Sequence, residues 1–215
     1  MLERRVKPVI APAVGASKRL IVALTVNKMV GERPFDAIRV DEICQTVGIS
    51  RSTFYRLFED KYSIPTWCQD LALRAGIAEI GRTFTVQQGN IITLDGISLF
   101  RNLICSAGRN QGENTFRSLL IKKHAAAMHE TLEDYKHVDI DDELEFQIGF
   151  TAESQANAVY RWLDGAYHGD AAHLTQMMIS CFPPRLFNII NEPVNPKEPS
   201  ALTYTSFLEE AAKLR

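Results

Sequence analysis

Apolar residues recur every three or four positions along most of this chain, and no stretch alternates apolar and polar residues as a strand would. In the first third this spacing predicts three helices, over about 18–30, 40–47 and 51–57. Gly31 and Gly48 follow the first two helices, where glycine commonly ends a helix. The pattern predicts an all-α protein.

The remaining two thirds predict longer helices separated by short polar loops. Their expected ranges are about 60–83, 93–107, 114–136, 140–164 and 170–182. Pro65 lacks a backbone N–H, which predicts either a bend in the first of these helices or a fresh start at Ser63. A polar loop is expected at 87–90.

The C-terminal end of the chain follows a different pattern. Pro183 and Pro184 are expected to close the helical body, and further prolines mark an extended linker after them. Residues 201–213 have the spacing of one more amphipathic helix.

Residues 40–61 hold two short predicted helices joined by a three-residue turn. In a helix-turn-helix DNA reader the first helix braces the second, which enters the major groove. Bracing requires apolar residues where the two helices face each other. The sequence supplies Ile43, Val47, Ile49, Phe54 and Leu57.

The outer face of the second helix carries the side chains expected to contact DNA. Ser50 caps this helix and exposes its N-terminus, whose partial positive charge favours phosphate. Arg51 and Ser52 project toward base edges, and Arg51 suits a bidentate contact to guanine. Contacts to phosphate, which position the protein without reading sequence, are expected from Arg39, Thr53, Tyr55, Arg56 and Lys61.

The stretch from Phe35 to Tyr62 closely resembles the N-terminal domain of TetR-family transcriptional regulators. The matching positions are Phe35, Gly48, Ile49, Ser50, Thr53, Phe54, Tyr55, Phe58 and Lys61. The resemblance covers about residues 17–70 and implies DNA contacts from Ser52, Thr53, Tyr55 and Lys61. Two positions depart from the family pattern: Cys44 replaces a small alanine, and Pro65 interrupts a helix that normally runs unbroken.

The sequence pattern and the resemblance together predict a division of the chain into four segments. These are a flexible basic arm at 1–16, a helix-turn-helix DNA-binding domain at 17–62, a helical effector-binding and dimerisation domain at 63–182, and a proline-containing tail at 183–215 with its terminal helix.

Residues 146–165 and 171–182 resemble the two helices through which family members form a four-helix dimer interface. The implied interface residues are Ala152, Ala156, Val159, Trp162, Leu163, Met177 and Met178. The alternative interpretation is that these residues build only the core of one chain. A two-fold dimer places its recognition helices about 34–36 Å apart, or a multiple of that, so the expected operator is palindromic.

The remaining helices are implied to enclose a small-molecule effector. Its candidate lining residues are Phe100, Phe116, Met128, Phe150 and Tyr160. Each of them equally suits an ordinary core position. The histidine pairs at 124 and 129 and at 168 and 173 are five apart, a poor spacing for a metal, so no metal or cofactor is predicted.

Charge and cysteine content agree with a cytoplasmic nucleic-acid binder. Residues 1–67 carry 11 Lys and Arg against 7 Asp and Glu, and the remainder carries 13 against 19. A basic N-terminal part on an acidic body suits contact with DNA through that part alone. The four cysteines are far apart, as in a reducing compartment, and neither a secretory signal nor a membrane partner is predicted.

The sequence therefore predicts a homodimeric repressor that binds double-stranded DNA and responds to a small-molecule effector. No P-loop, Gly-x-Ser-x-Gly or His-Glu-x-x-His motif is present, so an enzyme is not expected. The alternative is a DNA-binding protein whose C-terminal domain docks a protein partner and has no small-molecule effector.

Overall fold

A computed structural model describes residues 18–111 and 113–196, with side chains described outside 108–116. The predicted arm at 1–16 and the predicted helix at 201–213 lie outside the described residues. Within that description the chain is helical, with ten α-helices and no strand. The all-α prediction is confirmed.

The first three helices have the predicted bounds: α1 is Lys18–Val30, α2 is Val40–Val47 and α3 is Arg51–Leu57. A short 3₁₀ turn, Phe35–Ala37, separates α1 from α2. Gly48 ends α2 with a φ of 77°, and its N–H donates to the Cys44 carbonyl at 2.9 Å. This left-handed conformation favours glycine, which explains the residue at the turn.

The fourth helix, α4, runs from Ser63 to Ala75 and is shorter than predicted. It begins at Ser63, whose N–H donates to the Asp60 carboxylate at 2.8 Å. Pro65 lies in the first turn, where a missing N–H leaves no hydrogen bond unmade. The fresh start at Ser63 is therefore confirmed, and the continuous helix to residue 83 is wrong.

Helix α4 ends where it meets α5 (Val86–Leu99) almost backbone to backbone. A Cβ added to Gly76 would lie 2.3 Å from the Thr93 hydroxyl oxygen and 2.4 Å from the Gly89 carbonyl oxygen. Only glycine fits that gap. A 3₁₀ turn, Ile77–Glu79, then leads away from the contact.

The loop predicted at 87–90 is wrong, because those residues form the first turn of α5. Thr85 and Gln88 cap it reciprocally: the Gln88 N–H donates to the Thr85 hydroxyl, and the Thr85 N–H donates to the Gln88 side chain. The single helix predicted over 93–107 is also wrong. It is divided at Phe100 into α5 and α6 (Arg101–Gln111).

The last four helices are α7 (Glu113–Glu130), α8 (Asp142–Leu163), α9 (Ala171–Ser180) and α10 (Pro184–Ile190). A π-helical turn, Thr131–Tyr135, continues α7. Asp141 caps α8 and Asp170 caps α9, each by accepting a backbone N–H at 2.9 Å. Pro184 begins α10, since proline suits a first helical position, so the predicted close of the helical body at this point is wrong.

The helices pack around one continuous set of buried apolar residues. In that packing α4 lies on α5, α7 on α8, α5 on α9, and α1 on α6. Arg82, which is 8% exposed, joins the segment after α4 to the end of α7 through Glu130, Thr131 and the Ala127 carbonyl. The N-terminal unit of α1, α2 and α3 packs against α4 and α6.

Candidate nucleic-acid interface

Helices α2 and α3 are held together by the apolar residues expected to brace them. Ile43 and Phe54 are completely buried, and Val47, Ile49 and Leu57 are partly buried against the same core. Phe54 contacts Phe58 with ring centroids 6.0 Å apart, and Phe58 contacts Trp67 of α4 at 5.9 Å. A line of aromatic rings thus anchors α3 to the helix that follows it.

Ser50 caps the N-terminus of α3. Its side chain accepts the Thr53 N–H at 3.1 Å, and the two hydroxyl oxygens are 3.0 Å apart. The Thr53 hydroxyl is therefore engaged within the cap and is half-buried. The remaining N–H groups of this turn point outward from the helix end, the arrangement that attracts phosphate.

The outer face of α3 presents Arg51, Ser52, Tyr55 and Arg56 to solvent. Tyr55 is 48% exposed although it contacts the buried Phe54 ring edge-on at 5.5 Å. Hydroxyl and guanidinium groups therefore cover a helix whose opposite side is fixed in the core. These are the groups that hydrogen-bond phosphates and base edges.

Arg51 is paired within the protein. Its guanidinium lies 2.8 Å from the Asp41 carboxylate of α2 and 3.4 Å from the Tyr55 hydroxyl. The hydrogen bond with Tyr55, followed by the Asp41 charge, raises the pKa of Arg51, so it stays a cation. The sequence did not reveal Asp41 as the partner of Arg51. The two residues lie in the first turns of the adjacent helices α2 and α3.

The Lys61 ammonium is hydrogen-bonded within the protein, whereas a phosphate contact is expected to face solvent. Its ammonium donates to the carbonyl oxygens of Phe35, Asp36 and Ile38 at 3.2, 2.9 and 2.9 Å. It also lies 5.2 Å from the centre of the Phe35 ring. An ammonium has three N–H donors, so these bonds occupy all of them. The predicted phosphate contact stays a prediction and would require these bonds to be exchanged.

Arg39 precedes α2 and is exposed beside a small charge network. Its backbone N–H donates to Glu42 at 2.8 Å, and Arg33 pairs with the same carboxylate at 3.2 Å. The Arg39 N–H, and then Arg33, lower the pKa of Glu42. Arg39 thus combines an exposed position with a backbone held at the start of α2, which is compatible with a phosphate contact.

The residues predicted to line an effector pocket do not come together. Phe100 is completely buried at the break between α5 and α6, and Met128 borders an inner cavity beside His124. Tyr160 is half-buried, Phe150 is 51% exposed on the outside of α8, and the Phe116 side chain is outside the description. Phe150 therefore cannot line an internal pocket of one chain in this arrangement.

The predicted dimer residues need a correction. Six of the seven are core residues of the single chain, between 0 and 6% exposed, and so present no surface to a second copy: Ala152, Ala156, Val159, Trp162, Leu163 and Met178. They fall on the side of α8 and α9 that faces α5 and α7. Only Met177, 37% exposed, faces outward.

A different apolar surface occupies the outside of α8 and α9. Phe146 is 72% exposed and stacks on Phe150 with ring centroids 6.3 Å apart. Next to this pair runs a groove of about 340 Å³ between α8, α9 and the start of α10. Its walls include Leu174 and Met177, and no charged side chain from the described part of the chain lines it. Exposed apolar patches of this kind mark interaction sites.

Neither a model of a known protein family nor a curated protein sequence matches this chain. Within the described ranges, no group of three potential metal-ligating side chains is present. None of the described helices combines the length and apolar character needed to cross a bilayer.

Proposed function

We propose that this protein is a sequence-specific regulator of transcription that binds duplex DNA as TetR-like proteins do. The observation that carries the proposal is the α2–α3 unit: α3 has one face fixed in the core and presents Arg51, Ser52, Tyr55 and Arg56 on the other. A rigid helix with a polar and basic outer face fits the major groove.

The proposal assigns different roles to the two ends of this surface. Arg51, once released from Asp41, reads a base edge, and Ser52 lies beside it. Tyr55, Arg56 and the cap formed by Ser50 and Thr53 contact phosphates, with Arg39 reaching the backbone from α2. Lys61 stabilises the unit through its hydrogen bonds to the backbone before α2. It reaches phosphate only if DNA displaces these carbonyl partners.

A homodimer is part of the proposal, with its interface revised. Phe146 and Phe150, together with the outward-facing Met177, replace the buried residues as the contact between copies. A dimer places two α3 helices on one side of the duplex and reads a palindrome. Repression then follows because a bound dimer obstructs polymerase.

A small-molecule effector completes the proposed switch, since α1 of the reader rests on α6 of the body. The competing proposal is a DNA-binding protein whose body docks a protein partner instead. The exposed Phe146–Phe150 pair favours it, because such a patch suits a partner as well as a second copy.

The test is selection of binding sites from random duplex DNA by the purified full-length chain. We expect a palindromic consensus whose half-sites are one helical turn apart or a multiple of it. Enrichment of a single half-site would contradict the homodimer. Absence of any enriched sequence, with the protein folded, would contradict the proposal.

A further inference from the structure

Four buried polar side chains line one inner cavity of the helical body. One of them, Thr93 of α5, is paired, because its hydroxyl accepts the Ile77 N–H at 2.9 Å. The other three are Asn90 of α5, His124 of α7 and Gln155 of α8, which are 2, 3 and 6% exposed. The cavity has a volume of about 10 Å³, enough for one water-sized group. Polar side chains from three helices thus converge on a point that the sequence did not reveal, because Asn90 was expected in a loop.

Each of the two amide groups at this cavity has one atom that the protein leaves without a partner. Among the described residues, Asn90 Nδ2 and Gln155 Oε1 have no hydrogen-bond partner. Buried polar groups are almost always paired, since an unpaired one destabilises the fold. One donor and one acceptor therefore border the same small space.

The outer groove leads to this cavity. Gln155 and Met178 line both the groove of about 340 Å³ and the inner cavity, so they form the wall between them. Met178 is unbranched and adopts many rotamers at low cost, which makes this wall easy to move. The rest of the groove is mainly apolar, with Leu174, Met177 and Phe182 in its walls.

Among residues 18–111 and 113–196, no charged side chain lines the groove or the cavity. Burial lowers the pKa of His124 to about 4, so its imidazole is neutral at pH 7 and offers one donor and one acceptor. An ionised ligand would lose its hydration there without gaining a counter-charge. The surroundings therefore select an uncharged head group.

We propose that cavity and groove together form one binding site for a neutral amphiphile. Its compact head group both donates and accepts hydrogen bonds, as a primary carboxamide does. One polar atom of it occupies the cavity beside Asn90, His124 and Gln155, and the rest fills the space that Met178, which borders both cavity and groove, leaves when its side chain moves. Its unbranched apolar chain lies in the groove, with Met178 turned aside. All residues of the site belong to one chain. Its use as the effector site rests on the proposed function.

The first test is calorimetric titration of the full-length protein with n-octanamide, n-octanoate and n-butanamide at pH 7. We expect octanamide to bind at least about tenfold more tightly than octanoate, because the site holds no cation. Each methylene buried in the groove is worth about fourfold in affinity, so butanamide should bind on the order of a hundredfold more weakly. No saturable binding of octanamide, or equal binding of amide and carboxylate, would overturn the proposal.

The second test locates the ligand by NMR of ¹³C-methyl methionines. Octanamide should shift the resonances of Met177 and Met178 and leave that of Met29 in α1 unchanged. Saturable binding that moves neither Met177 nor Met178 would place the amide elsewhere and refute the site.

Two substitutions then test the head-group contacts. Asn90→Leu and Gln155→Leu should each weaken octanamide binding about tenfold, the worth of a lost hydrogen bond. The matched control is Asn157→Leu. It replaces an exposed amide on α8, the helix that carries Gln155, and should leave affinity unchanged. Equal effects of all three would contradict the assignment. If the leucine variants do not fold, the titrations with the three ligands and the methionine NMR on the unaltered protein still test the proposal.

The same experiments separate this proposal from the proposed function. Selection of DNA sites uses the protein without any amide and is independent of the cavity. An enriched palindrome with no octanamide binding would refute only the ligand site. Octanamide binding at Met178 without DNA selection would refute only the regulator.

Discussion

The side-chain oxygen of Asn27 accepts a hydrogen bond from the backbone N–H of Leu103 at 3.0 Å. The same carboxamide donates to the Leu99 carbonyl at 3.0 Å. Asn27 lies in α1 of the three-helix N-terminal unit, and the two backbone groups flank the break between α5 and α6. One side chain therefore joins this unit to the point where the helices of the body change direction.

Replacing Asn27 tests this connection. Asn27→Ala leaves a partly buried N–H and carbonyl unpaired, and we expect it to lower the free energy of unfolding by about 1–3 kcal/mol. Chemical denaturation measures the loss. Asn188→Ala, at an exposed position of α10, should change stability by less than about 0.5 kcal/mol. Similar values for both variants would show that the bridge contributes nothing.

Removing the carboxylate that holds Arg51 should strengthen DNA binding. Asp41→Asn releases the guanidinium from its 2.8 Å contact and removes a negative charge from the proposed interface. Solvent screens this exposed pair, so the gain in affinity should be modest, about two- to fivefold in a fluorescence anisotropy titration. In an Arg51→Ala background the same change should have a smaller effect, and an undiminished gain would contradict the pairing.

Lys61 and Arg56 should give different results although both were predicted to contact phosphate. Lys61→Met removes three hydrogen bonds to backbone carbonyls and should lower the free energy of unfolding by about 1–3 kcal/mol. Arg56→Met, at an exposed position, should leave stability nearly unchanged and weaken binding to all DNA sequences alike. Thermal unfolding and anisotropy, measured on both variants, compare the two roles. A stable Lys61→Met protein with weak DNA binding would instead support a direct phosphate contact.

Stability should fall in mild acid because of His124. Its pKa is about 4 in the folded protein and about 6.5 when unfolded, so between those values only the unfolded chain takes up the proton. Stability is thus present above pH 6.5 and decreases as pH falls to 4, by about 3 kcal/mol from this group. Denaturation of His124→Leu should show a flatter pH dependence over that interval, whereas exposed His168→Gln should retain the slope.

The revised dimer interface predicts a change in association. Phe146→Ser combined with Phe150→Ser removes the stacked pair and should raise the dimer dissociation constant at least about tenfold in sedimentation experiments. Val194→Ser, another exposed apolar position, is the control and should not alter association. A dimer that survives the double change would place the interface elsewhere.

Local signals explain which elements the sequence predicted correctly. Gly48, Ser50 and Asp170 act on neighbouring backbone groups, so the ends of α2, α3 and α9 were predictable within a few residues. The end of α4 depends instead on the contact between Gly76 and Gly89, which belong to different helices. No local pattern reports such a contact.

The candidate surfaces show the same limit. The stripe on α8 that includes Ala152 and Ala156 has the composition of an interface, but it is buried within the chain, where α7 packs against α8. An apolar stripe does not specify whether its partner is the same chain or another. Likewise, the polarity of Asn90 indicated a loop, whereas the residue is buried in the first turns of a helix.

The contact at Gly76 fixes one end of α4, the helix that follows the proposed DNA-binding unit. A carbon added there would push α4 away from α5, because Gly89 and Thr93 belong to a helix that is packed on its other side by α9. The push would tilt α4 about that end, and the displacement would be largest at Ser63, thirteen residues away. If the proposed function holds, the angle at which α3 meets DNA depends on the absence of one methyl group from Gly76.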